Sequence, residues 1–165
     1  LKELVVATFE STGDEVKDGM DISLVALVPE SNRGNKSVLQ YSGANNPLWI
    51  IRKGTKPPAD GEDVNVFEIK ADKQPIGKFD YGKPFTNHEV EVEKGDCVYI
   101  FTDGYADQFG GPLGKKFRYK TLKNLLLQIH HLPMSEQRTI LDETFEKWKG
   151  ELAQIDDVCV IGIRV

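Results

Sequence analysis

An α+β fold of mostly antiparallel strands with helices packed on the outside is predicted by three observations. Several short apolar runs are separated by clusters of turn formers, two amphipathic helical patterns follow most of them, and one more apolar run returns after the pair. Helices with one apolar face need a sheet to cover, and that order places the sheet first and the covering layer after it.

At the start, Leu1, Leu4, Val5, Thr8 and Phe9 fall at helical spacing with no capping residue before them, so the chain reads as beginning inside a helix and as a piece excised from a longer protein. Residues 11–19 form a polar loop. The nearly continuous apolar run 22–28 predicts a central strand buried on both faces. A turn-rich break over 29–36 leads to strands at 37–41 and 48–52. Between them lies Ser42-Gly43-Ala44-Asn45-Asn46-Pro47, a set of turn formers that suggests a hairpin-like connection. Residues 53–65 read as a surface loop before the short strand Val66-Phe67-Glu68-Ile69. Alternation over 87–92 predicts a strand with Val90 and Val92 inward.

The β-branched and aromatic segment Val98-Tyr99-Ile100-Phe101 runs into Thr102-Asp103-Gly104, where glycine permits a sharp turn. Leu122, Leu125, Leu126 and Ile129 mark one amphipathic helix and Leu141, Phe145 and Trp148 a second, with Ser135 as its N-cap and Gly150 as its stop. The last strand covers 158–165. Trp49 and Trp148 read as core, and Asn45 and Asn46 as turn residues. His88 on a strand and His130-His131 at a helix end read as structural.

Length and composition support one domain over residues 1–165. With 39% hydrophobic and 28% charged residues the chain is that of a soluble globular protein, and no apolar stretch approaches the ~18 residues a membrane span requires. No signal peptide is visible, which predicts a cytoplasmic segment with any membrane anchor lying upstream. A net charge of −5 argues against binding nucleic acid, whose affinity rests on Lys and Arg neutralising phosphates. Cys97 and Cys159 lie in predicted strands without metal-ligand spacing and read as reduced, buried packing residues.

Three acidic stretches sit at strand ends: Asp18-Gly19-Met20-Asp21, Thr102-Asp103-Gly104-Tyr105-Ala106-Asp107 and Asp156-Asp157. Alone, each is an ordinary turn. Together they predict a hard-cation site, because neighbouring carboxylates repel unless a cation neutralises them, and oxygen-only ligands favour Mg²⁺ or Mn²⁺ over zinc. Two adjacent strands would bring Asp103 and Asp156 to one sheet edge. Asp107 lies one helical turn after Asp103, and Asp21 has a turn or capping role as its alternative.

These stretches, with Tyr41-Ser42-Gly43-Ala44-Asn45-Asn46-Pro47-Leu48, Lys70-Ala71-Asp72-Lys73-Gln74-Pro75-Ile76-Gly77 and Asp107-Gln108-Phe109-Gly110-Gly111, resemble the catalytic domain of SpoIIE/RsbU-type bacterial serine/threonine phosphatases, relatives of protein phosphatase 2C. The resemblance covers essentially the whole chain. It implies a layered β-sandwich of antiparallel strands flanked by helices, incomplete at its N-terminus. It also implies two Mn²⁺ or Mg²⁺ ions, with Asp103 and Asp156 as ligands serving catalysis and Asp157 orienting or contributing to an outer shell. The upstream strand and Gly-Asp turn that the family uses to bridge both metals have no counterpart in residues 1–165, so the chain corresponds to about the C-terminal two-thirds of such a domain.

The implied activity is hydrolysis of phosphoserine or phosphothreonine by a metal-activated water, in the output module of a bacterial signalling protein with a sensor domain upstream. An anti-sigma-factor antagonist is the substrate class that the family suggests. Sheet edges uncovered at the N-terminal side predict self-association as a homodimer. The alternative is a non-catalytic interaction or scaffold module that keeps the fold. A binding protein for small phosphorylated ligands would want a Gly-rich phosphate cradle, which the sequence lacks.

Overall fold

The computed structural model of the chain describes residues 2–10, 19–29, 36–58, 66–77 and 83–165. The polar loop 11–18, the break 30–35, Asp18 of the first acidic stretch and most of the second half of the 53–65 loop lie outside the described residues. Chain contacts define two units that interleave in sequence: Leu1–Leu48 with Ile69–Glu91, and Trp49–Glu68 with Val92–Val165.

The first unit opens on helix α1, Lys2–Glu10, as the apolar spacing predicts. Strand β1, Gly19–Met20, pairs antiparallel with β6, Ile76–Gly77. Strands β2, Ile22–Pro29, and β3, Lys36–Ala44, form a long antiparallel ladder, and β7, His88–Glu93, lies on the other side of β3. Val5, Ala44 and Ile76 bury together against Met20, Ile22 and Phe85. Two expectations fail here. The run 22–28 is not a central strand buried on both faces: among the described residues β2 ends its sheet, and Leu24, Leu27 and Val28 are 64%, 41% and 46% exposed. An uninterrupted apolar run reports hydrophobicity and does not report how many strands lie beside it. The 42–47 turn is not a hairpin either, because β3 pairs with β2 and β7 whereas β4, Leu48–Ile51, belongs to another sheet. Asn45 takes a left-handed φ of 60°, and the Tyr41 hydroxyl donates to the Asn46 carbonyl at 2.6 Å, which redirects the chain.

The second unit is built on a four-stranded sheet of order β11-β8-β4-β5, with β5 at Phe67–Ile69, β8 at Cys97–Phe101 and β11 at Val160–Arg164. Strand β11 runs antiparallel to β8, with Val160 opposite Phe101 and Arg164 opposite Cys97. A one-turn helix α2, Gly104–Asp107, follows β8, and the small ladder of β9, Phe109–Gly110, and β10, Lys115–Lys116, comes next.

Helices α3, Tyr119–Ile129, and α4, Met134–Lys149, are the predicted amphipathic pair. Their apolar faces join one core in which Trp49, Tyr99, Phe101, Tyr105, Phe117, Leu122, Leu126 and Phe145 are all buried. Pro133, not Ser135, caps α4, since its fixed φ of −53° and extended ψ of 148° deliver the chain into the first turn. Cys97 is buried as predicted. Cys159 is exposed, because it precedes the edge strand β11, and both thiols are free.

Candidate metal centre

The segment after β8 and the segment before β11 are fastened to each other. The Thr102 amide donates to the Cys159 carbonyl at 3.0 Å. Its hydroxyl accepts from the Cys159 amide at 2.9 Å and donates to the Asp157 carbonyl at 2.7 Å, so one side chain serves a donor and an acceptor of the facing strand. Gly104 completes the contact: a Cβ there would stand 2.5 Å from the Asp157 carbonyl oxygen, so no larger residue fits without moving the backbone. Asp103 and Asp156-Asp157 therefore sit on two backbone segments in direct contact, at one end of the β8–β11 ladder.

Asp103 holds the N-cap position of α2 with αR dihedrals, and its side chain makes no capping bond, so the carboxylate is not spent on the helix terminus. Asp107 is one turn on, as predicted, its amide donating to the Asp103 carbonyl at 2.9 Å. The Asp107 carboxylate pairs with Lys116 at 3.0 Å. Asp156 and Asp157 are exposed, and one carboxylate oxygen of Asp156 accepts from the Asp157 amide at 2.7 Å. Asp21 belongs to the first unit, where its carboxylate accepts from the Asn45 side chain at 2.8 Å and so pins the turn after β3.

Two further residues shape this end, and neither was singled out from the sequence. Gln108 is fully buried; its amide nitrogen donates to the Ala153 and Phe109 carbonyls, both at 3.0 Å, which ties α2 to the segment leading into Asp156. Trp148 locks the same corner, its indole donating to the Gln108 carbonyl at 3.1 Å and its carbonyl accepting from the Gly111 amide at 2.8 Å. A glutamine between Asp107 and Phe109, one residue before the pair Gly110-Gly111, was the only sequence signal. The second residue is Tyr119. Burial, then the negative charges of Asp103, Asp107 and Glu68, push its phenol up to about 12. Both aspartates therefore act on the same ring.

The donor chemistry at this end is carboxylate and carbonyl oxygen, which suits a hard cation. Among the described residues no three His, Cys, Asp or Glu side chains converge as a complete ligand set. Mg²⁺ commonly binds through one or two carboxylates and keeps several waters, so Asp103 and Asp156 fit as part of such a shell.

Comparison with known proteins gives this end its context. The solved structure of the SiaA-PP2C domain of Pseudomonas aeruginosa matches with a TM-score of 0.64 and 26% identity, over 79% of this chain and 50% of that one. PppA, a key regulatory component of T6SS in Pseudomonas aeruginosa, matches with a TM-score of 0.57 and 16% identity, over 99% of this chain and 64% of that one. The Mn-presoaked phosphatase domain of the cell fate determinant SpoIIE from Bacillus subtilis matches at 0.50 and 17%, over 99% and 63%. The chain thus spans between half and two-thirds of the length of these three. No curated protein shows significant similarity to it.

The fold is that of the protein phosphatase 2C-like domains, in which antiparallel sheets carry flanking helices. The family model for Stage II sporulation protein E matches residues 5–165, and the chain belongs to the SpoIIE family.

Proposed function

We propose that residues 1–165 are about the C-terminal two-thirds of a single metal-dependent serine/threonine phosphatase domain whose cation-binding end is the junction of the Thr102-Asp103-Gly104 turn with Asp156-Asp157. The observation that carries this reading is the Thr102 hydroxyl bonded to both the Cys159 amide and the Asp157 carbonyl, which draws the two acidic segments together. Asp103 and Asp156 are the ligands. Asp157 orients them from an outer position, and Asp107 adds negative charge one turn away. A pair of Mn²⁺ or Mg²⁺ ions, when bound, lowers the pKa of a water and offsets the charge of the phosphoryl group.

The protein's own residues do the rest of the positioning. Thr102 fixes the separation of the two acidic segments, and Gln108 holds residues 153–155 so that Asp156 is presented from a rigid approach. Tyr119, with its phenol pushed up to about 12, stays neutral at physiological pH and adds no negative charge beside Asp103. The substrate class is a phosphoserine or phosphothreonine protein, with an anti-sigma-factor antagonist as the family's suggestion. The structural likeness to PppA, a key regulatory component of T6SS, supports a signalling role. No helix among the described residues is long and apolar enough to cross a membrane.

The test is phosphate release from a phosphoserine protein and from an aryl phosphate by the full-length protein with Mn²⁺. Chelator should abolish it, and Asp103→Asn should lower it by about two orders of magnitude or more while unfolding of the metal-free protein changes little. The alternative, a non-catalytic interaction module, predicts no turnover with or without Mn²⁺.

A further inference from the structure

At the opposite end of the β8–β11 ladder the second unit carries a pocket of about 470 Å³ whose lining is cationic. Lys53, Lys56, His131 and Arg164 line it, and no carboxylate side chain does among the described residues. Its floor is made by two β-turns of the same design. Thr55 N donates to the Arg52 carbonyl at 3.1 Å across Lys53-Gly54, and Asp96 N donates to the Glu93 carbonyl at 3.0 Å across Lys94-Gly95. Gly54 and Gly95 take left-handed φ values of 78° and 100°, which a residue with a Cβ adopts only at a cost.

Buried Asp96 joins the turns. Its carboxylate accepts from the Lys53 amide at 2.9 Å, the Glu93 amide at 3.0 Å and Arg52 at 2.7 Å. That acid is thereby matched by Arg52 and does not neutralise the pocket's own cations. Lys53 lies with its stem across Gly95, and neither Lys53 nor Lys56 has an ion-pair partner among the described residues. The carbonyls at the end of α3, which would repel an anion, are already covered: Arg164 donates to those of His130 and Leu132 at 2.6 and 2.5 Å, and Gln137 donates to the same two at 3.1 and 2.8 Å.

We propose that this pocket is a binding site for a small, multiply charged phosphate-bearing anion, separate from the acidic end where Asp103 lies. Lys53, Lys56 and Arg164 around a concavity with no carboxylate side chain among the described residues attract such an anion, and charge-assisted bonds to a phosphate are the strong ones. The volume falls in the ~300–1,000 Å³ range of small-molecule sites. Six residue steps along an extended strand separate Asp96 from Thr102, roughly 20 Å at ~3.3 Å per residue, so a ligand here does not touch the acidic end. The site would let an anionic small molecule report to the sheet on which the acidic turn is mounted.

The experiment is calorimetric titration of the full-length protein with pyrophosphate in metal-free, chelator-containing buffer. Saturable binding of one pyrophosphate per chain is expected. Lys53 and Lys56 are exposed, so Lys53→Ala/Lys56→Ala should leave the thermal unfolding curve without ligand in place while weakening binding by about tenfold or more. His131→Ala should weaken it by a smaller factor, and Asp103→Asn should leave it unchanged. Lys115→Ala/Lys116→Ala, at the other basic cluster, is the control for non-specific charge. Loss of binding in that control to the same extent, undiminished binding in Lys53→Ala/Lys56→Ala, or absence of saturable binding would overturn the proposal.

Discussion

The Thr102 hydroxyl stands 2.7 Å from the Asp157 carbonyl it donates to and 2.9 Å from the Cys159 amide it accepts from. That single side chain couples the end of β8 to the approach of β11. It helps to bring two acidic stretches, Thr102–Asp107 and Asp156-Asp157, to one end of a sheet.

Replacing Thr102 with valine keeps the shape and removes both bonds. The Cys159 amide and the Asp157 carbonyl then rely on water, at a cost of about 1–2 kcal/mol in denaturant unfolding. Phosphatase activity should fall more steeply than stability, since the spacing of the acidic segments loosens. Stability lost with activity fully retained would show that the hydroxyl serves the fold alone.

Tyr119 offers a reading of the same end that needs no turnover. At about pH 11 an ordinary tyrosine is largely ionised, whereas Tyr119, pushed up to about 12, should remain mostly neutral by ¹³C-tyrosine NMR. Burial keeps part of that shift in every variant. Asp103→Asn and Asp107→Asn each remove a negative charge and should increase the ionised fraction at that pH. An unchanged fraction in both variants would mean that neither aspartate lies near the ring.

Gly110 is a packing requirement. A Cβ there would run into the backbone carbonyl oxygen of Trp148, which cannot swing aside like a flexible side chain. Gly110→Ala should therefore destabilise by about 1–3 kcal/mol, read as a lower thermal midpoint. A midpoint equal to that of the wild type would show that the β9 corner yields more easily than its bonds indicate.

Asp96 sets an acid limit on stability. Burial alone would raise its pKa, but the Glu93 and Lys53 amides and the Arg52 guanidinium outweigh that and hold it below the ordinary 3.8. A carboxyl with a depressed folded-state pKa contributes stability that is full above its unfolded value and lost as pH falls through the folded one. Asp96→Asn should thus lower the urea midpoint at about pH 7 and narrow its difference from wild type at about pH 2. A constant difference across that range would remove the ionised pair from the account.

Much of this was legible in the sequence because it is local. Helical spacing located α3 and α4, alternation located β7, and the strand-then-acid pattern located Asp103 and Asp107. What failed depended on neighbours distant in sequence. Residues 22–28 form a strand whose exposure is decided by β2 lying, among the described residues, at the end of its sheet, and the turn expected over 42–47 is confined to 45–47, between β3 and β4 of different sheets. Cys159 looks like core by its company and is exposed by its place beside an edge strand. Gln108 matters through the Ala153 carbonyl, 45 residues away, which no periodicity reports.

The most direct test of the account is Mn²⁺ affinity of the full-length protein, measured by calorimetry for wild type, Asp103→Asn, Asp156→Asn and the double variant. A shared site predicts that each single change weakens binding by about tenfold or more, and that the double change costs less than the sum of the two in free energy, because groups acting on one ion are coupled. Wild-type Mn²⁺ affinity in Asp156→Asn, or fully additive losses, would contradict the claim that the Thr102–Asp157 contact assembles one cation-binding end.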